Sequence, residues 1–309
     1  MRRTIFNLAA VATTALLSCA ALLPADITMI QVGVGYRQDS ITLNINERGS
    51  VNPRAKSDRH FKNLEIVTIG TQFRSTLGCC DAYVRGCFDW GFVVDGDVRE
   101  QLKVEDRDTV DQFHRSGCIV EGDFRKSVVH NDIRRSSYVW DFDVAFAYPF
   151  ECGCETFKLA PVVGFAVNHQ HLRVKGRTAF NDASFNSFEE LCHKDGRHSN
   201  FRSNWWGPYL GLDFIYNSPE CWNLYGAFEF HFGRARRLAN SHTDREYIDG
   251  YRRTKTFYGP LFRLGTYYML NENMYVDASI AYRKYFSDTN RDDISWSSGS
   301  VRLDLGYIF

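Results

Sequence analysis

The last nine residues of the chain, Val301-Arg302-Leu303-Asp304-Leu305-Gly306-Tyr307-Ile308-Phe309, decide the fold class. In an extended strand, successive side chains point to opposite faces. One face therefore carries Val301, Leu303, Leu305, Tyr307 and Phe309, and the other carries Arg302, Asp304 and Gly306. An apolar face, a polar face and a terminal aromatic residue are typical of the last strand of a membrane-spanning β-barrel. A soluble strand packed on a core would show the same alternation, so the rest of the chain has to decide.

The N-terminus predicts export. Arg2 and Arg3 precede an apolar stretch from Ile5 to Leu23, after which the chain becomes polar and strand-like, as it does after a secretory signal peptide. We expect residues 1–25 to be a signal peptide and residues 26–309 to form the barrel. A lone membrane anchor is the weaker interpretation, because polar residues interrupt the apolar run. Leu17-Ser18-Cys19 is close to a lipoprotein box, so lipidation at Cys19 is an alternative to simple cleavage.

Composition agrees with this class and excludes others. Basic and acidic residues balance at 37 each, so bulk charge predicts no binding of nucleic acid. Aromatic residues make up 15% of the chain, which suits the interface girdles of a barrel, and a polar lumen explains the negative mean hydropathy. We find no internal repeat and no break in composition, so we expect one domain after the signal.

Alternation with a period of two predicts an all-β fold, a transmembrane antiparallel up-and-down barrel of about ten strands. The clearest strand lies between Tyr138 and Phe150, where seven apolar or aromatic residues alternate with small or acidic ones, a pattern that no amphipathic helix shows. The predicted strands cover approximately residues 29–46, 64–75, 83–94, 138–150, 157–168, 205–216, 222–232, 257–270, 274–286 and 301–309.

The connections alternate between short and long. Short ones are expected near residues 77–81, 151–154, 217–220 and 271–273, and long ones at residues 95–136 and 170–204. Bacterial barrels place tight turns in the periplasm and long loops outside. An even number of strands then leaves both termini in the periplasm. Prolines within the strands weaken the register, so counts of eight or twelve strands are the alternatives.

The cysteines predict cross-linking. Eight of the nine cysteines follow the signal segment, in a compartment where disulfides form. Neighbouring Cys79 and Cys80, or Cys152 and Cys154, are poor partners for one another, so we expect some to bond a second chain, against the alternative of purely internal bridges. A zinc site at Cys152-Gly-Cys154 is the weaker alternative, since no histidine lies near it in sequence. The disulfide candidates are Cys79, Cys80, Cys152, Cys154 and Cys221 at the short turns, and Cys118 and Cys192 in the longest loops; Cys87 is expected to point into the lumen.

Two strand pairs resemble a known family. The stretch Trp206-Gly207-Pro208-Tyr209-Leu210-Gly211-Leu212-Asp213, followed by Cys221-Trp222-Asn223-Leu224-Tyr225-Gly226, resembles the "GPRLGLD … W … LYG" strand pair of the cysteine-rich major outer-membrane proteins of the Legionella and chlamydia type. The second similarity is Asp141-Phe142-Asp143-Val144-Ala145-Phe146, followed by the Cys152-Gly-Cys154 turn and Leu159-Ala160-Pro161-Val162-Val163-Gly164. The resemblance covers approximately residues 138–232. It implies a porin-like barrel in the disulfide-cross-linked outer membrane of an intracellular bacterium, and no catalytic residue.

Function has to be sought among the charges that the alternation directs inward. Acids from the third, fourth and seventh strands are predicted to face arginines from the eighth to tenth strands, as a transverse field that sorts polar solutes in a pore. The alternative is that these charges pair and fill a narrow lumen, since ten strands enclose little space. The predicted pore-lining residues are Asp89, Asp141, Asp143, Glu229, His231, Arg263, Arg283, Arg302 and Arg37.

An enzyme is the remaining class. Omptin-type outer-membrane proteases also use ten-stranded barrels, with paired aspartates facing an Asp-x-His unit. Here Asp95-Gly-Asp97 and Glu229-Phe-His231 offer partial equivalents, but their predicted heights disagree and a glutamate replaces the second acid. We therefore expect no enzymatic activity, no metal and no cofactor.

Other basic residues are interpreted as surface groups. His169 and His171 lack metal-ligating neighbours in sequence, so we treat them as polar loop residues. The basic cluster Arg234, Arg236 and Arg237 is expected just above an aromatic girdle, where arginines meet lipopolysaccharide phosphates or remain solvated. The sequence thus predicts an integral outer-membrane barrel, porin-like for small polar solutes and cross-linked to itself or other envelope proteins, with lipid and lipopolysaccharide around it. A closed structural or adhesin barrel that acts through its outer loops is the alternative.

Overall fold

The computed structural model describes residues 25–47, 55–78, 81–104, 126–133, 135–151, 156–180, 198–218, 221–242, 247–287 and 292–309. Within these ranges no helix has the length and apolarity needed to span a membrane. The strands are β1 (Ala25–Glu47), β2 (Ala55–Leu77), β3 (Tyr83–Val104), β4 in three segments (Lys126–Ile133, Tyr138–Ala147, Phe150–Glu151), β5 (Phe157–Phe180), β6 (His198–Asn217), β7 (Trp222–His242), β8 (Tyr247–Met269), β9 (Met274–Ser287) and β10 (Asp292–Ile308).

The strands form one closed antiparallel ring. Each strand pairs with its neighbours in sequence, and β1 pairs with β10 in unbroken register from Met29–Ile308 to Ile45–Asp292. All three segments of β4 pair with β5, and the first two also pair with β3, so they occupy one position in the ring. The prediction of an all-β barrel with ten strands is confirmed.

The two ends of the barrel differ. We call the end that carries residues 25 and 309 the turn end, because the strand ends separated by the short intervals between β2 and β3, β4 and β5, β6 and β7, and β8 and β9 also lie there. Gly78 adopts a left-handed conformation (φ 53°) that favours glycine and lets the chain change direction directly after β2. The strand ends at the other end, the loop end, are separated in sequence by residues 48–54, 105–125, 181–197, 243–246 and 288–291, which lie outside the described residues.

Alternation along each strand separates an outer wall from an interior. Large apolar side chains such as Val34, Phe165, Leu210, Phe262 and Leu303 are exposed on the outer wall, in a band next to the turn end. A water-soluble protein would bury such a band, whereas lipid chains solvate it. The interior of the barrel therefore contains its core, and it also contains the inward charges that define the candidate site.

Candidate functional site: the barrel interior

A first ionic cluster lies at mid-height, where β1, β4 and β9 direct charged side chains inward and β5 contributes the amide of Asn168. The Arg37 guanidinium donates through Nε and Nη2 to both carboxylate oxygens of Asp39, at 2.6 and 2.5 Å, and through Nη1 to Asp141 Oδ2 at 2.6 Å. Arg283 reaches the same Asp141 oxygen at 3.1 Å and also donates to Asn168. Two acids and two arginines thus neutralise one another where water has little access.

Trp296 lies between the two arginines of this cluster. The guanidinium carbons of Arg37 and Arg283 are 5.1 and 5.2 Å from the centre of its ring. Attraction between a cation and an aromatic face strengthens when the pair is shielded from water. The tryptophan therefore links the ionic cluster to the apolar side chains nearer the loop end.

A second cluster surrounds Arg85 on β3. Its Nε donates to Asp213 Oδ2 at 2.9 Å, and its Nη2 donates to Glu229 Oε1 at 2.7 Å. The Tyr83 hydroxyl donates to the same Asp213 oxygen at 2.7 Å. Asp143 is 3.9 Å from Arg85 Nη1 and accepts a hydrogen bond from the Tyr209 hydroxyl at 3.0 Å. Arg85 on β3 is thus bonded to side chains of β6 and β7 across the interior of the barrel.

His231 completes this cluster. Its Nε2 lies 2.8 Å from Glu229 Oε2, and its ring stacks on Tyr209 with centroids 4.5 Å apart. Tyr285 packs against it at 5.3 Å. The imidazole is 2% exposed, so the packing leaves no room for a substrate beside it.

A third cluster joins Arg302 of β10 to two acids. Its Nε is 2.7 Å from each oxygen of Asp304, and its Nη1 donates to Asp89. Glycine is required beside both acids, because a Cβ at Gly33 would collide with the Asp304 carboxylate and one at Gly70 with that of Asp89. The glycines of β1 and β2 therefore leave space for acids of the neighbouring strands.

Below these clusters, towards the turn end, the barrel contains a cavity of about 100 Å³. Arg263 lines it together with Arg74, whose guanidinium lies over the Tyr83 ring at 3.8 Å. Asp277 lines it too and accepts a hydrogen bond from the Tyr225 hydroxyl at 2.9 Å. Charged and apolar side chains both line the cavity, which is large enough to hold water or a small solute.

Above the clusters, towards the loop end, an apolar cluster fills the interior. Trp205 lies at its centre, with Phe257, Trp296 and Tyr285 at ring-centroid distances of 5.3, 5.7 and 6.0 Å. Every one of the ten strands contributes to this cluster, which we call the apolar plug: Ile41, Leu43, Phe61, Leu64, Ile66, Val93, Val98, Val139, Leu172, Val174, Phe201, Trp205, Ala235, Phe257, Tyr285, Ile294 and Trp296. Such packing excludes water from the outer half of the interior.

The residues predicted to line a pore are distributed over these regions. Arg37, Asp141 and Arg283 form the first cluster, Asp143, Glu229 and His231 belong to the second, and Asp89 and Arg302 form the third, while Arg263 lines the cavity. Sequence reasoning missed Asp39, Arg85, Asp213 and Asp304, as well as Tyr83 and Tyr209. The same alternation places all of them on inward faces, so reading every inward position would have found them.

The residues that partly resemble a protease site lie in different surroundings. Glu229 and His231 are buried among Arg85, Tyr209 and Tyr285, whereas Asp95 and Asp97 are exposed in the outer part of β3. The Asp95 carboxylate accepts a hydrogen bond from the amide of Gly96 at 2.9 Å. Water activation would need these groups within hydrogen-bond reach of one another.

Two cysteines are described, and both have free thiols: Cys221 is exposed beside the β6–β7 turn and Cys87 is buried in the interior. Cys19 and the disulfide candidates Cys79, Cys80, Cys118, Cys152, Cys154 and Cys192 lie outside the described residues, as does the predicted signal segment up to residue 24. Within the described ranges, no cluster of three or more ligating side chains could hold a metal ion.

The basic cluster predicted on β7 is divided between the two faces. Arg234 and Arg236 point outward, just beyond the exposed Phe228, Phe230 and Phe232, whereas Arg237 points inward and is buried. The expectation of three neighbouring surface arginines was wrong for Arg237, because adjacent residues of a strand face opposite sides.

Comparison with known proteins identifies a matching family and solved structures with a similar fold. The family described as Pom, Protochlamydia outer membrane protein, matches residues 31–309. No curated protein matches the chain. Among solved structures, the fold is similar to that of the outer membrane protease OmpT from Escherichia coli, with a TM-score of 0.67 and 13% identity over 93% of this chain and 98% of that chain. The attachment invasion locus protein Ail of Yersinia pestis also matches, with a TM-score of 0.28 and 12% identity over 91% of this chain and 99% of that chain.

At such low identity the likeness to OmpT shows the fold alone. Barrels of bacterial outer membranes have short turns in the periplasm and longer loops outside, so the turn end faces the periplasm. The lipid-facing band, the closed ring of strands and the family match all indicate a β-barrel of an outer membrane. The chain belongs to the Protochlamydia outer membrane protein family and is an integral β-barrel of a bacterial outer membrane.

Proposed function

We propose that this protein is a closed barrel of the outer membrane, whose interior is structural and whose function resides in its two ends. The observation that carries the proposal is the apolar plug, to which all ten strands contribute. A plug of this kind offers a solute no hydrated path, and transfer of an ion through it would cost many kcal/mol.

The ionic clusters support the same conclusion. Charges that line an aqueous pore remain hydrated and available to passing ions. Here Asp141 is 5% exposed and Glu229 is 0% exposed, and each is bonded to an arginine. Removal of one partner would leave a buried charge, so the clusters hold the strands in one arrangement.

Single-channel conductance of the refolded protein in planar bilayers tests the proposal. We expect no conductance steps from the wild type, with folding checked by the heat-modifiable mobility of the barrel on gels. Arg283→Ala and Asp141→Ala should also be silent, because the plug lies above both residues. Conductance steps whose size or ion selectivity changes with these substitutions would contradict a closed barrel.

That outcome would support the second candidate, a narrow porin for small polar solutes. The observation that favours it is the periplasmic cavity, where Arg263 and Asp277 present opposite charges. A porin would need this cavity to continue to the outside, so the bilayer measurement separates the two functions.

We further propose that the periplasmic turns contribute disulfide cross-links to the envelope, as the resemblance to the cysteine-rich major outer-membrane proteins suggests. The exposed thiol of Cys221 supports this proposal, because it is accessible to a second chain. Non-reducing electrophoresis of whole outer membranes should show high-molecular-weight bands that weaken in Cys221→Ser. Cys87→Ser is the matched control, since its thiol is buried. Identical band patterns for the wild type and Cys221→Ser would argue against this role of Cys221.

We propose no catalytic activity for the interior. Asp95 is exposed in the outer part of β3 whereas His231 is buried in the interior, and this difference supports the view. Cleavage of a peptide substrate by purified wild type, lost in both Asp95→Ala and His231→Ala, would overturn it.

A further inference from the structure

We propose that the outer wall formed by β5, β6 and β7 binds the phosphate groups of a glycolipid of the outer leaflet, through Arg202, Arg234, Arg236 and His171. The site lies outside the barrel, so it is independent of whether the interior is open or closed.

The position of the arginines on the wall is the first argument. Along β7, the outward residues change from the exposed Phe228, Phe230 and Phe232 of the lipid band directly to Arg234 and Arg236. A cation one step beyond the last lipid-facing aromatic residue lies at the level of the lipid headgroups.

The register brings a matching surface from β6. Trp206 is opposite Arg234, Asn204 is opposite Arg236, and the exposed Arg202 follows on the same face. Directly opposed side chains on neighbouring strands have Cβ atoms about 5 Å apart. The three arginines therefore lie close enough to contact one headgroup with more than one phosphate.

An aromatic and histidine surface borders the arginines on β4 and β5. The His169 ring stacks on Trp140 with centroids 5.5 Å apart, and its Nδ1 is hydrogen-bonded to Asn204. Tyr138 stacks on Trp90 at 5.1 Å. These contacts hold the aromatic and histidine rings in place beside the arginines. Aromatic rings at the membrane interface also contact lipid with their apolar faces.

His171 supplies an independent observation that points to a ligand. It lies outward on β5, opposite Tyr138 and Arg202, yet it is only 3% exposed. Among the described residues neither of its ring nitrogens has a hydrogen-bond partner. A buried polar group without a partner costs free energy. A phosphate oxygen would accept the His171 N–H once the Tyr138 and Arg202 side chains that lie opposite it move aside.

The opposite side of the barrel lacks this arrangement in its described residues. There the outward positions just beyond the lipid band are Gln38 and Ser40 on β1 and Ser297 and Gly299 on β10. Lys284 on β9 carries a positive charge near the same level and lies over Phe286 at 5.0 Å. Lys62 on β2 and Arg99 on β3 are also exposed beyond the band, but Lys62 lies opposite Asp97. Arg202, Arg234 and Arg236 have no acid directly opposite them, so their positive charge is not compensated by a cross-strand partner.

The arginine side chains of this wall favour a ligand with phosphate groups. The planar guanidinium group binds phosphate oxygens through two parallel hydrogen bonds, and these charge-assisted bonds are among the stronger ones in proteins. A phosphorylated glycolipid presents such groups at the headgroup level while its acyl chains cover the aromatic residues below. Each part of the ligand then contacts a part of the wall with matching chemistry.

The test uses the refolded full-length protein in lipid nanodiscs. Bis-phosphorylated lipid A and its dephosphorylated form are titrated, and the tryptophan fluorescence is followed, since Trp206 lies on this wall and Trp140 and Trp90 lie on the neighbouring β4 and β3. We expect the phosphorylated form to bind at least about tenfold more tightly, the effect of about one charge-assisted hydrogen bond. Equal binding of the two forms would overturn the proposal.

Two double variants with the same change in net charge separate the site from general attraction. Arg202→Gln/Arg234→Gln should weaken binding of the phosphorylated lipid about tenfold or more, whereas Arg99→Gln/Lys284→Gln, which changes exposed cations elsewhere on the wall, should not. Equal weakening by both pairs would contradict a defined site. Inorganic phosphate is the competitor: displacement of the lipid by low millimolar phosphate would indicate a site for free anions instead.

His171→Phe separates ligand binding from folding. The substitution keeps a ring of similar shape and removes two buried nitrogens without described partners. We expect the thermal stability of the lipid-free barrel to be unchanged or raised, and the affinity for the phosphorylated lipid to fall several-fold. A loss of stability with unchanged affinity would assign His171 a structural role and remove it from the site.

Discussion

The part of the wall inside the membrane and the part beyond it place their apolar side chains on opposite faces. In β10, Val301, Leu303 and Leu305 point outward and are more than half exposed to lipid, whereas Ile294 and Trp296 point inward and are buried. The β1–β10 pairing continues without a register shift through both parts, so no bulge causes the exchange. The surroundings change from hydrocarbon to water, and the apolar residues change faces accordingly.

The two halves of the interior are stabilised in different ways. Within the membrane, the outside of the barrel is apolar, and the interior is held by ionic clusters around Arg37, Arg85 and Arg302. Beyond the membrane the barrel resembles a soluble protein, with the apolar plug as its core. Substitutions that act on one half only can therefore test whether this division holds.

The largest effect is expected from Arg85→Ala, in the membrane half. It leaves Asp213 and Glu229 buried without their arginine, which should lower the free energy of unfolding by about 5 kcal/mol. Urea unfolding of the barrel refolded in lipid vesicles measures the change. Arg99→Ala, on the exposed outer part of β3, is the control and should change stability by less than about 0.5 kcal/mol. A small effect of Arg85→Ala would mean that water enters the cluster.

The sequence predicted the membrane half well and the outer half poorly. The last strand was expected at residues 301–309 and the seventh at 222–232, whereas they extend over Asp292–Ile308 and Trp222–His242. Period-two analysis followed the outward apolar residues and stopped where they ended. The change of phase from Val301 to Trp296, or from Val34 to Ile41, was present in the sequence and marks where the barrel leaves the membrane.

The candidate site was predictable only in part for a related reason. Alternation identifies which charges point inward, and Arg37, Asp141 and Arg283 were found in this way. It does not show which inward charges meet across the lumen, because that depends on how the closed ring positions strands distant in sequence. The bond from Arg85 to Glu229, between β3 and β7, is therefore known only from the folded structure.

A second large effect is expected in the outer half, from Trp205→Ala. Trp205 is completely buried at the centre of the plug, so its truncation should cost about 4 kcal/mol of the free energy of unfolding. Trp206→Ala is a matched control, since the neighbouring side chain points outward and should lose much less. Equal losses for the two tryptophans would show that the plug is not a packed core.

An intermediate effect should follow from placing a charge on the outer wall at two levels. Leu303→Arg puts a guanidinium group in the lipid band and should destabilise the barrel by about 3 kcal/mol. Ser295→Arg, also on the outward face of β10 but beyond the band, should be nearly neutral. Vesicle refolding yields and urea midpoints provide the comparison. A similar cost at both positions would mean that the lipid band extends further than the exposed apolar residues indicate.

The smallest effect concerns a single hydrogen bond in the membrane half. Tyr209→Phe removes the hydroxyl that donates to Asp143 Oδ2, while the ring still stacks on His231. Asp143 keeps only the longer 3.9 Å contact with Arg85, so we expect a loss of about 1.5 kcal/mol in the free energy of unfolding. Tyr268→Phe, with an exposed ring on β8, should change nothing measurable. Since a hydrated carboxylate would replace the lost bond with water, an unchanged stability for Tyr209→Phe would indicate that the cavity next to Asp143 supplies that water. The ionic clusters would then be more hydrated than the plug, and only the packing of the outer half would keep the barrel closed.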